Sequence, residues 1–376
     1  MFDLTEETKI ETKNLKYLTF GSPIIDLIVD VDKSFVDKYD IKLDTTSHVK
    51  GDDRIFTSIR DLNPVLTAGG CSYNAIRTLN WMLGKNEPFS VGGIGSVGKD
   101  NYGFAYKKIL ESESIVPLFE IMEGFTAKCA TICYLRERCH LTDLGVSSSI
   151  SDSFIEKQWD LLENIELLYT ELYILSHKKS TLLKLANLCL NDKKIFGFNL
   201  PSLGFLDAFK SDILEMMGYA DIIFANLEEA KHFVHHVLEQ SYDDLKDLAI
   251  KMASQPKVNK NKKRTAVVTC GPDQLYVVIY NPKTDTVEFQ ESFTPFTVSN
   301  ERIIDTNGAG DSFAGGFLAQ YVQGHDIEIC VKSGNYCAAN IIQRRGFELP
   351  RCSPPTKDEL KKMDFSTEII NKREYN

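Results

Sequence analysis

The sequence predicts an α/β fold in which a doubly wound, mainly parallel sheet is joined by a second, smaller sheet. Two observations carry this. Apolar runs of strand length alternate with helical periodicities through most of the 376 residues, the rhythm of parallel β-α-β units. Two stretches break that rhythm: the polar, turn-rich segment from about Val29 to Leu66, and Lys128 to Leu135, which alternates like a half-buried strand. Together they are placed in a small sheet standing off the main one.

In chain order, Ile24 to Val31, Phe89 to Val91, Leu172 to Leu175, Ile195 to Asn199, Asp221 to Phe224 and Ala266 to Thr269 read as strands. After the first of these, Ala75, Ile76, Leu79, Met82 and Leu83 form an apolar helical stripe that Gly84 can terminate. A helix is also expected over Tyr102 to Leu110. Another follows Asp311, with Phe313, Ala314, Phe317, Leu318 and Tyr321 on its buried face. Pro256 to Arg264 holds five basic residues and reads as a solvated loop before the Ala266 strand.

A hydrophobic content of 43% supports a sizeable core and excludes a disordered tail. The 43 Lys and Arg against 53 Asp and Glu leave a net charge of -10, which repels phosphate backbones and anionic lipid, so neither nucleic acid nor membrane is an expected partner. The acidic Met1 to Glu7 and the absence of a long apolar run argue against a signal peptide and a membrane span, and for a cytoplasmic protein. Nine cysteines, without Cys-x-x-Cys spacing, fit reduced thiols.

The most informative string is Asp305-Thr306-Asn307-Gly308-Ala309-Gly310-Asp311. It runs from an apolar strand end through closely spaced glycines into a helix, a turn that aims backbone N–H groups at a phosphate. A carboxylate beside such a site repels its ligand unless it has a task, and taking a proton from an attacking hydroxyl is one. The alternative is Asp311 as an ordinary N-cap. Gly315 and Gly316 each cost the helix roughly 1 kcal/mol relative to alanine, so something must approach its backbone closely.

Gly69-Gly70 before Cys71-Ser72-Tyr73-Asn74 allows close passage of a hydroxyl-rich ligand, with Asn74 either capping a helix or offering it a donor and an acceptor. Asn226-Leu227-Glu228-Glu229 reads as a capping box, or as a polar pair that orients magnesium-bound water or phosphate. Gly93-Ile94-Gly95-Ser96-Val97-Gly98 matches the dinucleotide fingerprint and supports a rival NAD-dependent oxidoreductase, although that fingerprint normally belongs to the first β-α unit.

Taken in order, Gly-Gly-x-x-x-Asn, Gly98-x-Asp100-x-x-Gly103, Asn-x-x-Glu and Asp-Thr-x-Gly-Ala-Gly-Asp resemble the ribokinase-like, or PfkB, family of sugar and nucleoside kinases over roughly residues 17 to 350. Within it, four features resemble the adenosine kinases: Phe20 to Asp26, Trp81-Met82, Asn307, and Gly334 to Ala339 before Arg344-Arg345-Gly346. The resemblance implies a ribokinase-like fold, with residues 1–28, 68–121 and 147–376 in the large domain and 29–67 and 122–146 in a small lid. It implies ATP and Mg2+ as cofactors and ATP-dependent phosphorylation of adenosine to AMP in purine salvage by a cytoplasmic monomer. A kinase for ribose, a hexose or another nucleoside is the alternative, and a non-catalytic ligand sensor lies further off.

The implied roles attach to matching positions. Asp311 corresponds to the base, and Gly308, Ala309 and Gly310, with Asn307, to the anion hole. Asp26 corresponds to the carboxylate that holds the ribose, with Ser22, Gly69, Gly70, Cys71 and Asn74 around the nucleoside. Arg138 corresponds to the arginine that reaches the transferred phosphate on lid closure. Thr269, Gly271 and Asn335 fall on the nucleotide side, and Asn226 with Glu229 at magnesium through water. Ser22 and Cys71 depart from the usual asparagine and serine, and His177-Lys178 lie near where the family often offers an aromatic to the base.

Overall fold

The computed structural model describes residues 12–43, 45–49, 53–84, 88–135 and 137–370. The acidic Met1 to Glu7 lie outside them. Fourteen strands are described: β1 Tyr17–Phe20, β2 Ile24–Asp30, β3 Thr45–His48, β4 Val65–Gly69, β5 Val91–Gly98, β6 Val116–Met122, β7 Ala127–Tyr134, β8 Glu137–Asp143, β9 Leu167–Glu171, β10 Ile195–Asn199, β11 Ile222–Asn226, β12 Arg264–Thr269, β13 Leu275–Asn281 and β14 Thr286–Phe293. They form a nine-stranded sheet in the order β14-β13-β12-β11-β10-β9-β1-β5-β6 and a five-stranded sheet in the order β3-β8-β7-β2-β4.

From β12 to β6 the large sheet is parallel; β13 and β14 extend it antiparallel. Its strands β1, β5, β9 and β12 are buried on both faces, as a parallel sheet between helical layers requires. Leu18, Leu168, Ile223 and Val268 pack to one side. Leu167, Tyr169, Ile222, Phe224 and Val267 pack to the other, against Phe313 and Phe317. The chain leaves β1 in both directions across the sheet, to β5 and to β9, so the strand order reverses beside β1. The crevice outside the carboxyl ends of the strands at such a reversal is where open α/β sheets bind ligands.

β2 belongs wholly to the small sheet, with Asp26 paired to Thr67 of β4 and Cys129 of β7. The expected boundary at residues 28 and 29 falls inside this strand. Among the described residues no helix is long and apolar enough to cross a membrane.

Three sequence expectations are corrected. Leu172–Ile174 is a 3-10 turn, and the strand lies one step earlier, at Leu167–Glu171. An unbroken apolar run carries no period to fix where a strand ends. The glycine-rich Gly93 to Gly98 is not a loop but the body of β5, where Tyr73 fills the space beside Gly93 and the Thr126 backbone that beside Gly98. The glycines serve strand packing, and no turn exists there to cradle a pyrophosphate. Pro256 to Arg264 is not a solvated loop: Lys257 and Arg264 are buried, the first on the Asp221 carboxylate at 2.6 Å.

What approaches the helix Ala309–Tyr321 at its glycines is protein. A Cβ on Gly315 would stand 2.1 Å from the carbonyl oxygen of Ala75 in the helix Cys71–Leu83. One on Gly316 would stand 2.6 Å from Cys337 Sγ. Gly315→Ala is therefore expected to cost about 1–3 kcal/mol by overpacking. That outweighs the roughly 1 kcal/mol by which alanine favours a helix. A urea midpoint equal to or above that of the unmodified protein would show that the two helices can separate freely.

Candidate active site

The carboxyl ends of β9, β10, β11 and β12 open onto a cavity of about 150 Å³. Glu171, Asn199, Asn226 and Thr269, one from each strand end, line it, with Glu229, Cys71, Gly310, Asp311, Tyr173 and Phe224. Asn226 and Glu229 form both halves of a capping box on the helix Leu227–His232: Glu229 N–H donates to Asn226 Oδ1 at 2.8 Å, and Asn226 N–H to Glu229 Oε2 at 3.0 Å. The cap and the cavity wall are thus the same two residues.

Gly308 takes the left-handed conformation and starts the helix Ala309–Tyr321, which carries Asp311 in its first turn. Asp311 makes no side-chain cap there. Its Oδ2 instead accepts from Asn74 Nδ2 at 3.0 Å, a contact between the early and the late sequence motifs across 237 residues. Asn74 itself is only 6% exposed. Burial is the main cause that lifts the Asp311 pKa to about 7; the Asn74 hydrogen bond opposes it and the Glu171 carboxylate adds to it. Asp26 is likewise lifted to about 7, by burial and then by Asp311, against the pull of Arg77. Glu229 is lifted to about 7 by burial, opposed by the Asn226 backbone and raised further by Asp311.

Gly69 and Gly70 are required by this geometry. A Cβ on Gly69 would stand 2.2 Å from Asp26 Oδ2. Gly70 has φ +94°, and its Cβ would stand 2.3 Å from Ser22 O. The pair lets the turn before the helix Cys71–Leu83 lie flush against β2 and bring Ser22, Asp26 and Asn74 together.

Ser22, Asp26, Gly69, Gly70 and Asn74 are not in the lining of this cavity, and neither are several other expected residues. Arg138 lines a second cleft of about 590 Å³ with Asp30, Asp305, Thr306 and Arg345. There it pairs with Asp305, and its Nη2 donates to Ile304 O at 3.2 Å. Asp305 also accepts from Asn307 N–H at 2.9 Å and Gly346 N–H at 3.2 Å. Gly271 follows β12 with φ +61°. Asn335 is buried in the helix Ile327–Ile341, and its Nδ2 finds no partner among the described residues. Asp100 caps the helix Asn101–Ser112 and accepts from Thr126 N–H at 2.9 Å, a structural role for the Gly-x-Asp-x-x-Gly string.

The sequence profile of the pfkB family of carbohydrate kinases matches residues 33–352. The chain belongs to this family of kinases. It is 33% identical to adenosine kinase 1 of Arabidopsis thaliana over 350 residues, covering 91% of this chain and 97% of the relative. It is 30% identical to the adenosine kinase of Dictyostelium discoideum over 347 residues, 91% of this chain and 98% of the relative. Among solved structures, adenosine kinase from Schistosoma mansoni in complex with 2-fluoroadenosine superposes with a TM-score of 0.79 at 29% identity, covering 91% of this chain and 98% of that one.

This pfkB kinase has site residues that sequence reasoning missed. Tyr173, and not His177, lines the cavity beside Phe224 and Phe313, edge-on to Phe205 at 5.0 Å. Glu171 is a buried carboxylate on its wall. The signal for it was a lone acid inside the apolar run from Leu167 to Leu175.

The raised carboxylates fix a pH dependence of stability. An acid whose folded pKa is about 7 against 3.8 unfolded stabilises the fold fully below 3.8, and that contribution is lost as pH rises through about 7. In the ligand-free pfkB kinase, Asp311→Asn keeps an acceptor for Asn74 and removes the charge. It should raise the melting temperature at pH 8 by at least about 2 °C, with the gain gone near pH 4. A variant that melts below the parent at pH 8 contradicts this account.

Proposed function

We propose that this pfkB kinase transfers the γ-phosphoryl group of ATP to the 5′-hydroxyl of adenosine, giving AMP and ADP. The observation that carries the reading is the Asn74–Asp311 hydrogen bond at 3.0 Å. It sets a carboxylate with a pKa of about 7 at a helix N-terminus that opens on a cavity. The relatives named above support the choice of acceptor.

In this reading Asp311 takes the hydroxyl proton as the nucleoside oxygen attacks the γ-phosphorus and the bond to the ADP oxygen breaks. The N–H groups of Gly308, Ala309 and Gly310, beside Asn307, receive the charge that develops on the phosphoryl oxygens. Asp26 accepts from the ribose hydroxyls, within a wall made by Ser22, Gly69, Gly70, Cys71 and Asn74. Asn226, Thr269, Gly271 and Asn335 take the nucleotide side.

For Mg2+ the donor chemistry fits: Asn226 and Glu229 offer the oxygen ligands this ion prefers, and both are engaged in the capping box, so they would hold it through water. Among the described residues no cluster of three or more His, Cys, Asp or Glu could hold a metal unaided. That fits an ion that comes with the ATP phosphates. When bound, it neutralises charge on the transferring group.

The small sheet of β2, β3, β4, β7 and β8 is taken as a lid that excludes water, with Arg138 on it. The reading also takes the protein as a cytoplasmic monomer acting on small molecules, with neither nucleic acid nor membrane as partner.

Asp311→Asn should lower kcat by at least about 10²-fold with KM nearly unchanged. In the parent, kcat/KM should climb with pH to a plateau above about 7, where the ligand-free base has lost its proton. Near-parental turnover in the variant would return Asp311 to a structural role.

The acceptor is tested by kcat/KM for adenosine, 2′-deoxyadenosine, inosine and ribose under one set of conditions. Leaving Asp26 without a hydroxyl partner costs on the order of 1–3 kcal/mol, so deoxyadenosine should fall about 5-fold to 150-fold below adenosine, with ribose lower still. Ribose equal to adenosine would move the assignment to a sugar kinase, and no ADP from any acceptor would remove it.

A further inference from the structure

We propose that Glu171 is a positioning residue of this reaction: its buried carboxylate pins together the two chain crossings that lead between the sheets on the substrate side, and so holds the nucleoside wall against Asp311. The first crossing, Gly21 to Pro23, carries the chain from β1 of the large sheet to β2 of the small one. The second, at Gly70, carries it from β4 back to the helix Cys71–Leu83. Glu171 ends β9, the neighbour of β1 at the reversal of strand order, and is 5% exposed. Its Oε1 accepts from Ser22 N–H at 3.0 Å on the first crossing. Its Oε2 accepts from Ser72 N–H at 3.3 Å and Ser72 Oγ at 3.4 Å on the second.

Each bond answers a local need. The helix Cys71–Leu83 has Gly70 as N-cap and no side-chain cap of its own, so its first N–H groups lack intrahelical partners. Glu171 supplies the missing acceptor from a distance of 99 residues, at the end of the helix where a negative charge is favoured. The crossings also touch: a Cβ on Gly21 would stand 2.0 Å from Ser72 Oγ and 3.5 Å from Glu171 Cδ. Four residues beyond Ser22 is Asp26, and two beyond Ser72 is Asn74, the partner of Asp311. A shift of either crossing moves one wall of the site relative to the base.

Glu171 is also an electrostatic neighbour of that base. Asp311 is faced by Glu171, Asp26, Glu229, Cys71 and Tyr169, and the Glu171 charge raises its proton affinity. Two substitutions separate the pin from the charge. Glu171→Asp keeps the charge and withdraws it by one methylene. Glu171→Gln keeps the reach, removes the charge and turns an amide N–H toward a backbone N–H.

The inference rests on Asp311 as the base. Glu171→Asp should lower kcat by at least about fivefold, leave the adenosine KM within about twofold and leave the pH profile in place. The Ser22 and Ser72 amides should exchange hydrogen faster in it. Glu171→Gln should also lose kcat, and the acid limb of its kcat/KM profile should move to lower pH. Parental kcat in folded Glu171→Asp overturns the pin. So does a rise in adenosine KM with kcat kept in either variant, which would make Glu171 a substrate contact. An acid limb that stays in place in Glu171→Gln overturns the pairing with Asp311. Should Glu171→Gln fail to fold, Glu171→Asp decides alone. Active Asp311→Asn would sink the base assignment instead, and is measured separately.

Discussion

Three carboxylates, Glu171, Glu229 and Asp311, share one cavity at the carboxyl end of the large sheet, with Asp26 of the small sheet feeling the Asp311 charge. No Lys, Arg or His is found among the described residues that line that cavity. Asp26, Glu171, Glu229 and Asp311 all have their proton affinities raised, with burial the leading cause in each case. A cation in the cavity wall would relieve the repulsion, but it would also pull the Asp311 carboxyl back down from its raised pKa. The fold uses neutral donors instead. Asn74 holds Asp311, the Asn226 backbone holds Glu229, and the Ser22 and Ser72 backbones hold Glu171. Hydrogen bonds from backbone N–H groups stabilise a carboxylate without adding a formal charge. That requirement explains why turns and helix starts, where N–H groups are unpaired, converge on this place.

Arg77, buried and paired with Glu113, acts on Asp26, and two further arginines join the two sheets. Arg138 of β8 pairs with Asp305, and Arg345 Nη1 pairs with Asp30 of β2 at 2.7 Å. Between them, Gly346 N–H donates to Asp305 and Phe347 packs on Gly308, the N-cap of the helix that carries Asp311. Asp305 therefore links the small sheet, through Arg138, to the turn before the helix Ala309–Tyr321, through Asn307. The Arg345–Asp30 pair is exposed, and pairs of that kind contribute little stability, on the order of 0–1 kcal/mol.

Much of this was legible in the sequence. The class followed from alternating apolar runs, and Gly69-Gly70, Asn74, Asn226, Glu229, Gly310 and Asp311 were all marked by residues that fit turns and helix starts. The illegible parts share a cause. Glu171 and Tyr173 sit in the apolar run from Leu167 to Leu175, which has no period, so the strand was placed one step late and the acid at its end went unread. Gly93 to Gly98 looked like a phosphate loop because the reason for its glycines, the Tyr73 ring and the Thr126 backbone, comes from other elements. The basic string from Lys257 to Arg264 looked solvated for the same reason. Its partner, Asp221, is remote in sequence and unmarked by any local pattern.

That basic string completes the electrostatic design of the sheet. At the amino ends of the strands, Arg264 is fully buried and donates to the carbonyls of Ala220, Ala253 and Met217. Lys257 and Lys262 meet there on Asp221, and Lys194 on the carbonyls of Glu163 and Ile165. Guanidinium and ammonium groups satisfied by several acceptors close this end against water. The opposite end gathers like charges around an open cavity, an arrangement that favours binding and costs stability. Placing the sealed, fully bonded end at one edge of the strands offsets the cost of gathering carboxylates at the other, because the same parallel strands run through both. Neutral hydroxyl donors arriving at the carboxyl ends can then satisfy carboxylates that the fold has sustained in their absence.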